Sequence, residues 1–405
     1  MTTATLRGLF VCAFAASIFA PLAHAALPRP QAMQTLRPED SEVYPDPNEF
    51  PQVPYFGTSV ALDGNVILSG MPGAADLQGR VAVFTKNAAG KWLRTATLKA
   101  SDAASNAEFG NVVALAGGRA LVASNTGVYV FASSNGKWQQ KQKLAFDGPV
   151  HVGDLAWDGT LAIVGVGGLD DQFKPHNGVY AFSLSSTGQL QRIAKFSAHD
   201  TAATDLFGSH VAISGTLVAI TAPGYNSDQG AVYVFGCTAR GCREHQKLLA
   251  NDGQPGDTFG ASVDLRSRVL VVGAPAAEAT SQQADGAIGA GYVFVRPNGE
   301  WLESQKLGLT ASQSTPYWAL GTAVAVTADR VLISAPGLGG FAAGQVFVFG
   351  YSAGTLVPTH VLQRWEGYGE SLDFVSNRVI VGFPNDGGAP PVGFADVYYL
   401  PPPLR

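Results

Sequence analysis

Short apolar segments without polar alternation recur along the chain, separated by turns rich in glycine, proline and aspartate. Leu217 to Ala222 and Ala231 to Phe235 are two such segments. Because strands that are apolar throughout are buried on both faces, these segments predict strands in the interior of stacked sheets. More polar segments, such as the one that ends at Gln246-Lys247-Leu248, predict half-exposed outer strands.

The order of these segments is repeated along the chain. We name the four segments of one copy strands A to D; strand A follows an aromatic-glycine or apolar-glycine pair. The copies begin near Phe56, Phe109, Val152, Phe207, Phe259, Leu320 and Tyr368. Their spacing is about 52 residues, which is typical of a four-stranded propeller blade. We predict an all-β protein in which residues 26–405 form a single seven-bladed β-propeller of four-stranded antiparallel blades.

The two ends of the repeat region are complementary. The seventh copy stops after strand C, at Val397 to Leu400, whereas Gln34-Thr35-Leu36 matches the end of strand D in other copies, as in Gln246-Lys247-Leu248. Residues 33–40 are therefore predicted to complete the last blade as its outer strand. Such a closure would remove the exposed sheet edge that an open ring would leave.

The repeated markers resemble FG-GAP repeats. A Phe-Gly pair precedes strand A, strand B ends in Gly273-Ala274-Pro275 or a similar triplet such as Thr221-Ala222-Pro223, and strand C reads Val-Tyr-Val-Phe. Repeats of this kind build the seven-bladed head of integrin alpha subunits and occur in many bacterial exported proteins. The resemblance implies a propeller that acts in binding.

The calcium loop that often accompanies integrin-type repeats is missing. A hard cation needs several oxygen ligands from one loop, but the A–B connections here are two-residue turns such as Asp63-Gly64 and Asp158-Gly159. We therefore expect no metal and no cofactor, and interpret Asp63 and Asp158 as turn formers. Recurring acids after strand D predict a repeated turn between a side chain and the backbone; they are Asp40, Asp102, Asp147, Asp200 and Asp252.

The N-terminal residues predict export. Arg7, the apolar stretch from Leu9 to Ala23 and the small-residue pattern Ala23-His24-Ala25 are typical of a signal peptide spanning residues 1–25. No later segment is long and apolar enough to predict a membrane span. The protein is expected to be periplasmic, on the cell surface or secreted. In such a compartment Cys237 and Cys242 are expected to form a disulfide, with a redox-active or metal-binding pair as the alternative.

Loop lengths indicate where a partner would bind. The B–C connections are long in every copy except the second, whereas the A–B and C–D turns are short. Since function concentrates on loops held by a rigid scaffold, we expect the face that carries the B–C and D–A connections to bind the partner. The candidate binding residues are Asp170, Asp171, Phe173, His176, Tyr225, Asn226, Asp228, Tyr317 and Trp318.

No catalytic motif is recognisable. The histidines lack the spacing of a metal-binding helix, and no catalytic residue is proposed. The net charge of −5 argues against nucleic acid as a partner. We expect a recognition scaffold, not an enzyme, whose partner is an unidentified protein or glycan. A carbohydrate-active enzyme, which needs only two suitably spaced carboxylates, and a structural envelope protein are the alternatives.

Overall fold

Seven four-stranded antiparallel sheets stand around a common axis. The computed structural model describes residues 27–43, 53–147, 151–166, 168–169, 175–176, 178–277, 289–308, 319–337, 344–352, 354–364, 367–385 and 392–401. Strand A lines the axis and strand D lies at the outer rim in each sheet. The predicted seven-bladed propeller is confirmed.

The strands follow the order of the sequence segments. The A strands are Val60–Asp63, Val113–Ala116, Asp154–Trp157, Val211–Ser214, Ser262–Arg266, Val324–Val326 and Ser371–Val375. The B strands are Val66–Met71, Arg119–Ser124, Leu161–Gly165, Leu217–Ala222, Val269–Ala274, Arg330–Ala335 and Arg378–Phe383. The C strands are Arg80–Lys86, Gly127–Ser134, Val179–Leu184, Ala231–Thr238, Ala290–Val295, Gln345–Ser352 and Phe394–Tyr399. The D strands are Trp92–Leu98, Lys137–Lys143, Leu190–Phe196, Gly241–Leu248, Leu302–Leu307, Thr355–Gln363 and, for blade 7, Gln34–Leu36.

Few other elements interrupt this pattern. A small hairpin pairs Gly168–Leu169 with Pro175–His176 in the B–C connection of blade 3. Short helical turns cover Asp40–Val43, Ala74–Leu77, Ala203–Asp205 and Tyr225–Asp228. All of them lie in connections after strand B or strand D, so the ring itself consists of strands.

The hydrophobic core is divided among the interfaces between blades. Phe109, at the start of blade 2, is fully buried and belongs to a cluster with Leu68 and Val81 of blade 1 and Tyr129 of blade 2. The corresponding Phe56, Phe207 and Phe259 are also fully buried. Strands B and C are thus covered on both faces, which explains their unbroken apolar sequence.

Glycines bring neighbouring blades into close contact. In blades 1, 3, 5 and 7 a Cβ added to the fifth residue of strand B would lie 1.9 to 2.2 Å from the carbonyl oxygen of the glycine that precedes the next strand A. The strand B glycines are Gly70, Gly165, Gly273 and Gly382, and the partners are Gly110, Gly208, Gly321 and Gly57. Blades 2, 4 and 6 have Ala123, Thr221 and Ser334 instead. The repeat therefore uses glycine where two backbones touch.

The N-terminal strand closes the ring. Gln34, Thr35 and Leu36 pair antiparallel with Val397, Asp396 and Ala395. The amide of Met33 also donates to the carbonyl of Val397 at 2.8 Å. Leu36 is only 2% exposed and packs with residues of blades 1 and 7. The predicted closure is confirmed, with pairing at Ala395–Val397.

A glutamine on the outer strand fastens several blades to the next. The side-chain amide of Gln34 donates to the carbonyl of Trp92 at 2.7 Å and accepts from the amide of Trp92 at 2.9 Å. Three further glutamines make the same pair of bonds; the pairs are Gln142 with Leu190, Gln246 with Trp301, and Gln305 with Leu356. The side chain of this glutamine thus forms the same pair of hydrogen bonds with the next blade that the backbone of an additional strand would form.

Gln246→Ala is expected to lower the free energy of unfolding by about 1–2 kcal/mol, because its two neutral hydrogen bonds to the backbone of Trp301 are lost. Gln139→Ala, on the exposed face of strand D in blade 2, is the control and should change stability by less than about 0.5 kcal/mol. Urea denaturation of both variants measures the difference. Equal stability of the two variants would contradict a fastening role for Gln246.

Candidate functional site

The A strands enclose an axial channel of about 820 Å³. Its wall contains the carboxyl groups of Asp154, Asp264 and Asp373 together with Arg266 and His210, and Asp63, Asp158 and Glu370 also contribute to the lining. Most other positions of the wall are small or apolar. Ionisable groups therefore line the channel in blades 1, 3, 4, 5 and 7.

Each of the three aspartates joins its own blade to the next. One carboxylate oxygen accepts from the following residue of the same strand, and the other accepts from an amide of the next blade. The interblade acceptor distances are 3.0 Å for Asp154 to Val211, 2.7 Å for Asp264 to Val326 and 2.6 Å for Asp373 to Leu62. Both oxygens of each carboxylate accept hydrogen bonds from the protein, so the three aspartates connect neighbouring blades around the channel wall.

Burial makes the charged form of these carboxyl groups unfavourable. It raises the pKa of Asp373 to about 7, against the opposing effect of the Leu62 amide, with a further increase from the negative charge of Asp264. Burial likewise raises the pKa of Asp264. Asp373 therefore titrates near neutral pH in the folded chain, whereas in the unfolded chain it would titrate near 3.8.

This shift predicts that stability falls as pH rises. Between about pH 4 and pH 7 the folded chain holds a proton on Asp373 that the unfolded chain has lost, so the contribution is present at low pH and disappears as pH passes about 7. Asp373→Ala removes this contribution to stability. The variant should therefore be more destabilised relative to the parent at pH 5 than at pH 8. Urea denaturation of both chains at the two pH values measures this. Equal destabilisation by Asp373→Ala at both pH values would contradict a raised pKa of Asp373.

The face with the B–C and D–A connections carries a second repeated arrangement. Asp102 accepts from the hydroxyl of Tyr129 at 2.8 Å and from Lys143 at 2.7 Å, both in the next blade. The same triad occurs twice more, as Asp200 with Tyr233 and Lys247, and as Asp252 with Tyr292 and Lys306. The bond from Lys143, and then that from Tyr129, lowers the pKa of Asp102.

These triads correct the interpretation of the recurring acids. A turn between side chain and backbone was expected, but the carboxylates of Asp102, Asp200 and Asp252 bind the following blade. Asp147 belongs to the same group, because it forms ion pairs with Arg192 at 2.6 Å and Lys195 at 3.5 Å. The side chain of Asp40 lies outside the described residues. The other four acids are therefore each paired with a cation of the following blade.

At the closing blade a related arrangement has its charges exchanged. Asp396 occupies the strand C position of the tyrosine and Thr35 that of the lysine. Arg364 directly follows strand D of blade 6, two residues before the position that holds aspartate in other blades. Asp396 is fully buried and accepts from Thr35 at 2.5 Å and from Nε of Arg364 at 2.8 Å. The N-terminal strand therefore joins an arrangement that differs from the triads of blades 2, 4 and 5.

Two B–C connections have a rare backbone conformation. In Gly73–Gly79 the residues Ala75, Asp76 and Leu77 have φ of 55 to 60°, and in Gly224–Gly230 Asn226, Ser227 and Asp228 have φ of 51 to 62°. The left-handed conformation costs roughly 1–2 kcal/mol per residue that is not glycine. Carbonyls of both turns accept from the next blade, as Leu77 does from Glu108 at 2.8 Å and Asp228 from Thr258 at 2.7 Å. These bonds hold the strained turns in place.

Comparison with known families agrees with this geometry. The FG-GAP repeat family matches residues 191–235 and 242–294, which cover strands of blades 3, 4 and 5. The matched segments contain the Phe-Gly starts and the strand B endings that bring neighbouring blades together.

The chain is a seven-bladed β-propeller that contains FG-GAP repeats.

Solved structures resemble the FG-GAP propeller in fold alone. A chain in "Crystal Structure of Mitotic Checkpoint Complex" is similar with a TM-score of 0.56 and 10% identity, over 92% of this chain and 96% of that chain. The likeness extends to 467 chains, and at such low identity it indicates the architecture only. Comparison with curated proteins finds no match.

The structure describes part of the predicted binding set. Asp170, Asp171, Phe173, Tyr317 and Trp318 lie outside the described residues. The backbone of His176 is described, in the small hairpin of blade 3, but its side chain is not. For these six residues the assignment to a binding face stays a prediction.

The other three predicted residues lie together in the left-handed turn of blade 4. The ring of Tyr225 lies 3.3 Å from Nζ of Lys247, which also bonds to Asp200, so this tyrosine has a structural partner. The exposed Asn226 donates to Gln229 at 2.7 Å. Asp228 is exposed, and among the described residues its carboxylate forms no ion pair. Of the three, Asp228 is the most available to a partner.

The predicted turn acids behave differently from each other. Oδ1 of Asp158 accepts from the amides of Thr160 and Leu161, both at 2.8 Å, which confirms a turn former. Asp63 instead accepts from the amide of Gly117 in blade 2 at 2.8 Å. Within the described ranges no group of three or more potential metal ligands is found, and no helix is long and apolar enough to cross a bilayer.

Cys237 and Cys242 form a disulfide across strands C and D of blade 4, with their Cα atoms 4.1 Å apart. The bond closes a turn on the face opposite the long loops. Because the enclosed loop is short, its contribution to stability is expected at the low end of the range of about 0–5 kcal/mol. It fastens a single hairpin.

Proposed function

We propose that this FG-GAP propeller is an exported recognition scaffold that binds a protein or glycan partner through the face of its B–C and D–A connections. The proposal is supported by a ring whose blades are braced at the axis, in the core and at the rim, which holds surface loops in fixed positions. Loops on such a scaffold are the usual location of binding residues. The disulfide supports an oxidising compartment.

The main support for this proposal is that three connections of blades 3 and 4 lie next to one another. The helical turn Ala203–Asp205 lies between the hairpin segment Pro175–His176 on one side and the turn Tyr225–Asp228 on the other. Asp205 stabilises the middle connection, because its carboxylate accepts from the amide of Ala202 at 2.9 Å. The segments that carry His176 and Asp228 therefore both contact the same helical turn, which supports a common binding surface.

A glycan array combined with polysaccharide degradation assays tests the function. Binding without release of reducing ends is expected. Cleavage of a polysaccharide would instead establish a carbohydrate-active enzyme, and neither binding nor cleavage would favour a structural protein of the envelope. For a ligand found on the array, Asp228→Asn should weaken binding by about tenfold, since a charge-assisted hydrogen bond is lost.

Asparagine is the chosen replacement because it tolerates the left-handed backbone at this position. Glu300→Gln removes the same charge from the opposite face and is the matched control. If both variants bind as the parent chain does, the site does not include Asp228. If only Glu300→Gln weakens binding, the partner occupies the other face.

A further inference from the structure

The face formed by the A–B and C–D turns is basic, although the whole chain is acidic. Among the described residues four acids lie there, namely Asp63, Asp158, Glu300 and Asp329. Nine exposed or half-buried cations lie there as well, namely Lys86, Lys91, Arg119, Lys137, Arg240, Arg266, Arg268, Arg296 and Arg378. Three of the four acids are already hydrogen-bonded, Asp63 to Gly117, Asp158 to Thr160 and Asp329 to Thr327.

The cations of this face differ from the lysines that form the repeated triads on the opposite face. Lys143, Lys247 and Lys306 on the opposite side each pair with an aspartate at 2.7 to 2.9 Å. Throughout the described part of the chain, none of the nine cations of the basic face forms an ion pair with a carboxylate. Their charge is therefore available to a ligand.

The arginines are most concentrated in blade 5. Arg266 ends strand A, Arg268 precedes strand B and Arg296 follows strand C, so the three lie at the same end of adjacent strands. The amide of Arg296 donates to the carbonyl of Arg268 at 3.1 Å, which places the two residues side by side. Adjacent strands are about 4.8 Å apart, so the row extends from the channel mouth toward the rim.

A groove runs beside this row, between blades 4 and 5. Its volume is about 570 Å³, and Arg268, Arg296, Ser214, Thr216 and Ser267 contribute to its lining. Nε of Arg296 donates to the carbonyl of Gly299 at 2.6 Å, which orients its guanidinium group. Guanidinium groups bind carboxylates through paired hydrogen bonds, and the hydroxyl groups suit a ligand with its own hydroxyls.

We propose that this groove binds an acidic polysaccharide, a polymer that carries carboxylate groups among hydroxyl groups. The row of arginines matches repeated negative charges along a chain, and the serine and threonine hydroxyls match the neutral part of the sugar. A lipid surface fits less well, because the groove is concave and a flat bilayer would not reach its floor. This site is separate from the long-loop face and does not depend on the function proposed for that face.

Isothermal titration calorimetry with polygalacturonate oligosaccharides tests the proposal, with dextran oligosaccharides as the neutral control. The intact protein should bind the first and not the second, and added salt should weaken binding because charged contacts are screened. The double variant Arg268→Gln/Arg296→Gln should bind about a hundredfold more weakly, about tenfold for each arginine. Lys99→Gln/Lys141→Gln removes the same charge from exposed positions elsewhere and should bind like the parent.

Vesicles of phosphatidylglycerol form the third arm. Binding to vesicles without binding to polygalacturonate would overturn the proposal in favour of a lipid surface. No binding to polygalacturonate, or equal weakening in both double variants, would overturn it as well. Circular dichroism should show the same folded state for both variants, since none of the four residues is buried.

Discussion

Gly273→Ala is expected to lower the free energy of unfolding by about 3 kcal/mol or more. The added Cβ would lie 1.9 Å from the carbonyl oxygen of Gly321 and 2.3 Å from Oγ of Ser262. The first of these atoms belongs to the backbone of the next blade, so the steric clash can be relieved only if the two blades move apart. Overpacking in a rigid interior typically costs about 1–3 kcal/mol, and more where the surroundings cannot yield. Urea denaturation measures the change.

The corresponding position of blade 2 provides the control. Ala123 already carries a Cβ there and is fully buried. Ala123→Gly should cost about 1 kcal/mol through backbone entropy and a lost methyl group. If Gly273→Ala were no more harmful than Ala123→Gly, close backbone contact would not be the reason for glycine in strand B.

Arg364→Ala is expected to destabilise the protein by about 3 kcal/mol, and Asp396→Asn by clearly less. The two residues form one ion pair, but the side chain of Arg364 is 37% exposed whereas that of Asp396 is 0% exposed. Without Arg364 the buried carboxylate keeps, within the described part of the chain, the hydroxyls of Thr35 and Tyr398, neither of which compensates its charge. Without the charge of Asp396 the guanidinium group can still be hydrated.

Loss of the Arg364 side chain should also weaken the attachment of the N-terminal strand Gln34–Leu36. Since Thr35 bonds to the same carboxylate, hydrogen exchange at the amides of residues 34–36 should accelerate in Arg364→Ala before the rest of the ring does. Lys195→Ala removes a cation from an exposed pair with Asp147 and should cost less than about 1 kcal/mol. Equal effects of Arg364→Ala and Asp396→Asn would show that burial does not govern this pair.

The pattern of the sequence predicts the ring because every blade has the same apolar order. Leu217–Ala222 and Ala231–Phe235 have no polar face, and only sheets stacked on both sides can bury them. The N-terminal strand was predictable for the same reason, since Gln34-Thr35-Leu36 matches a segment missing from the end of blade 7. The disulfide followed from two nearby cysteines with an expected oxidising compartment.

The partners of the polar groups could not be predicted in this way. Asp102 recurs at a fixed place in the repeat, but its ligands Tyr129 and Lys143 are 27 and 41 residues away. The same limit applies to Gln246, whose partner Trp301 is 55 residues distant. Nor does the sequence predict that Lys247 lies over the ring of Tyr225, a residue predicted to bind a partner. A regular repeat shows that such residues matter, but not which neighbour they meet.

The sequence by itself determined the number of blades, the order of strands and the closure of the ring, because burial of apolar strands depends on local composition and period. Only the tertiary structure decided how charge is distributed. Acids at the ends of the D strands meet lysines of the next blade, while arginines at the A–B and C–D turns meet no acid in the described chain. Whether an acid and a base form an ion pair depends on their distance across a blade interface. The net charge of −5 contains no information on such distances.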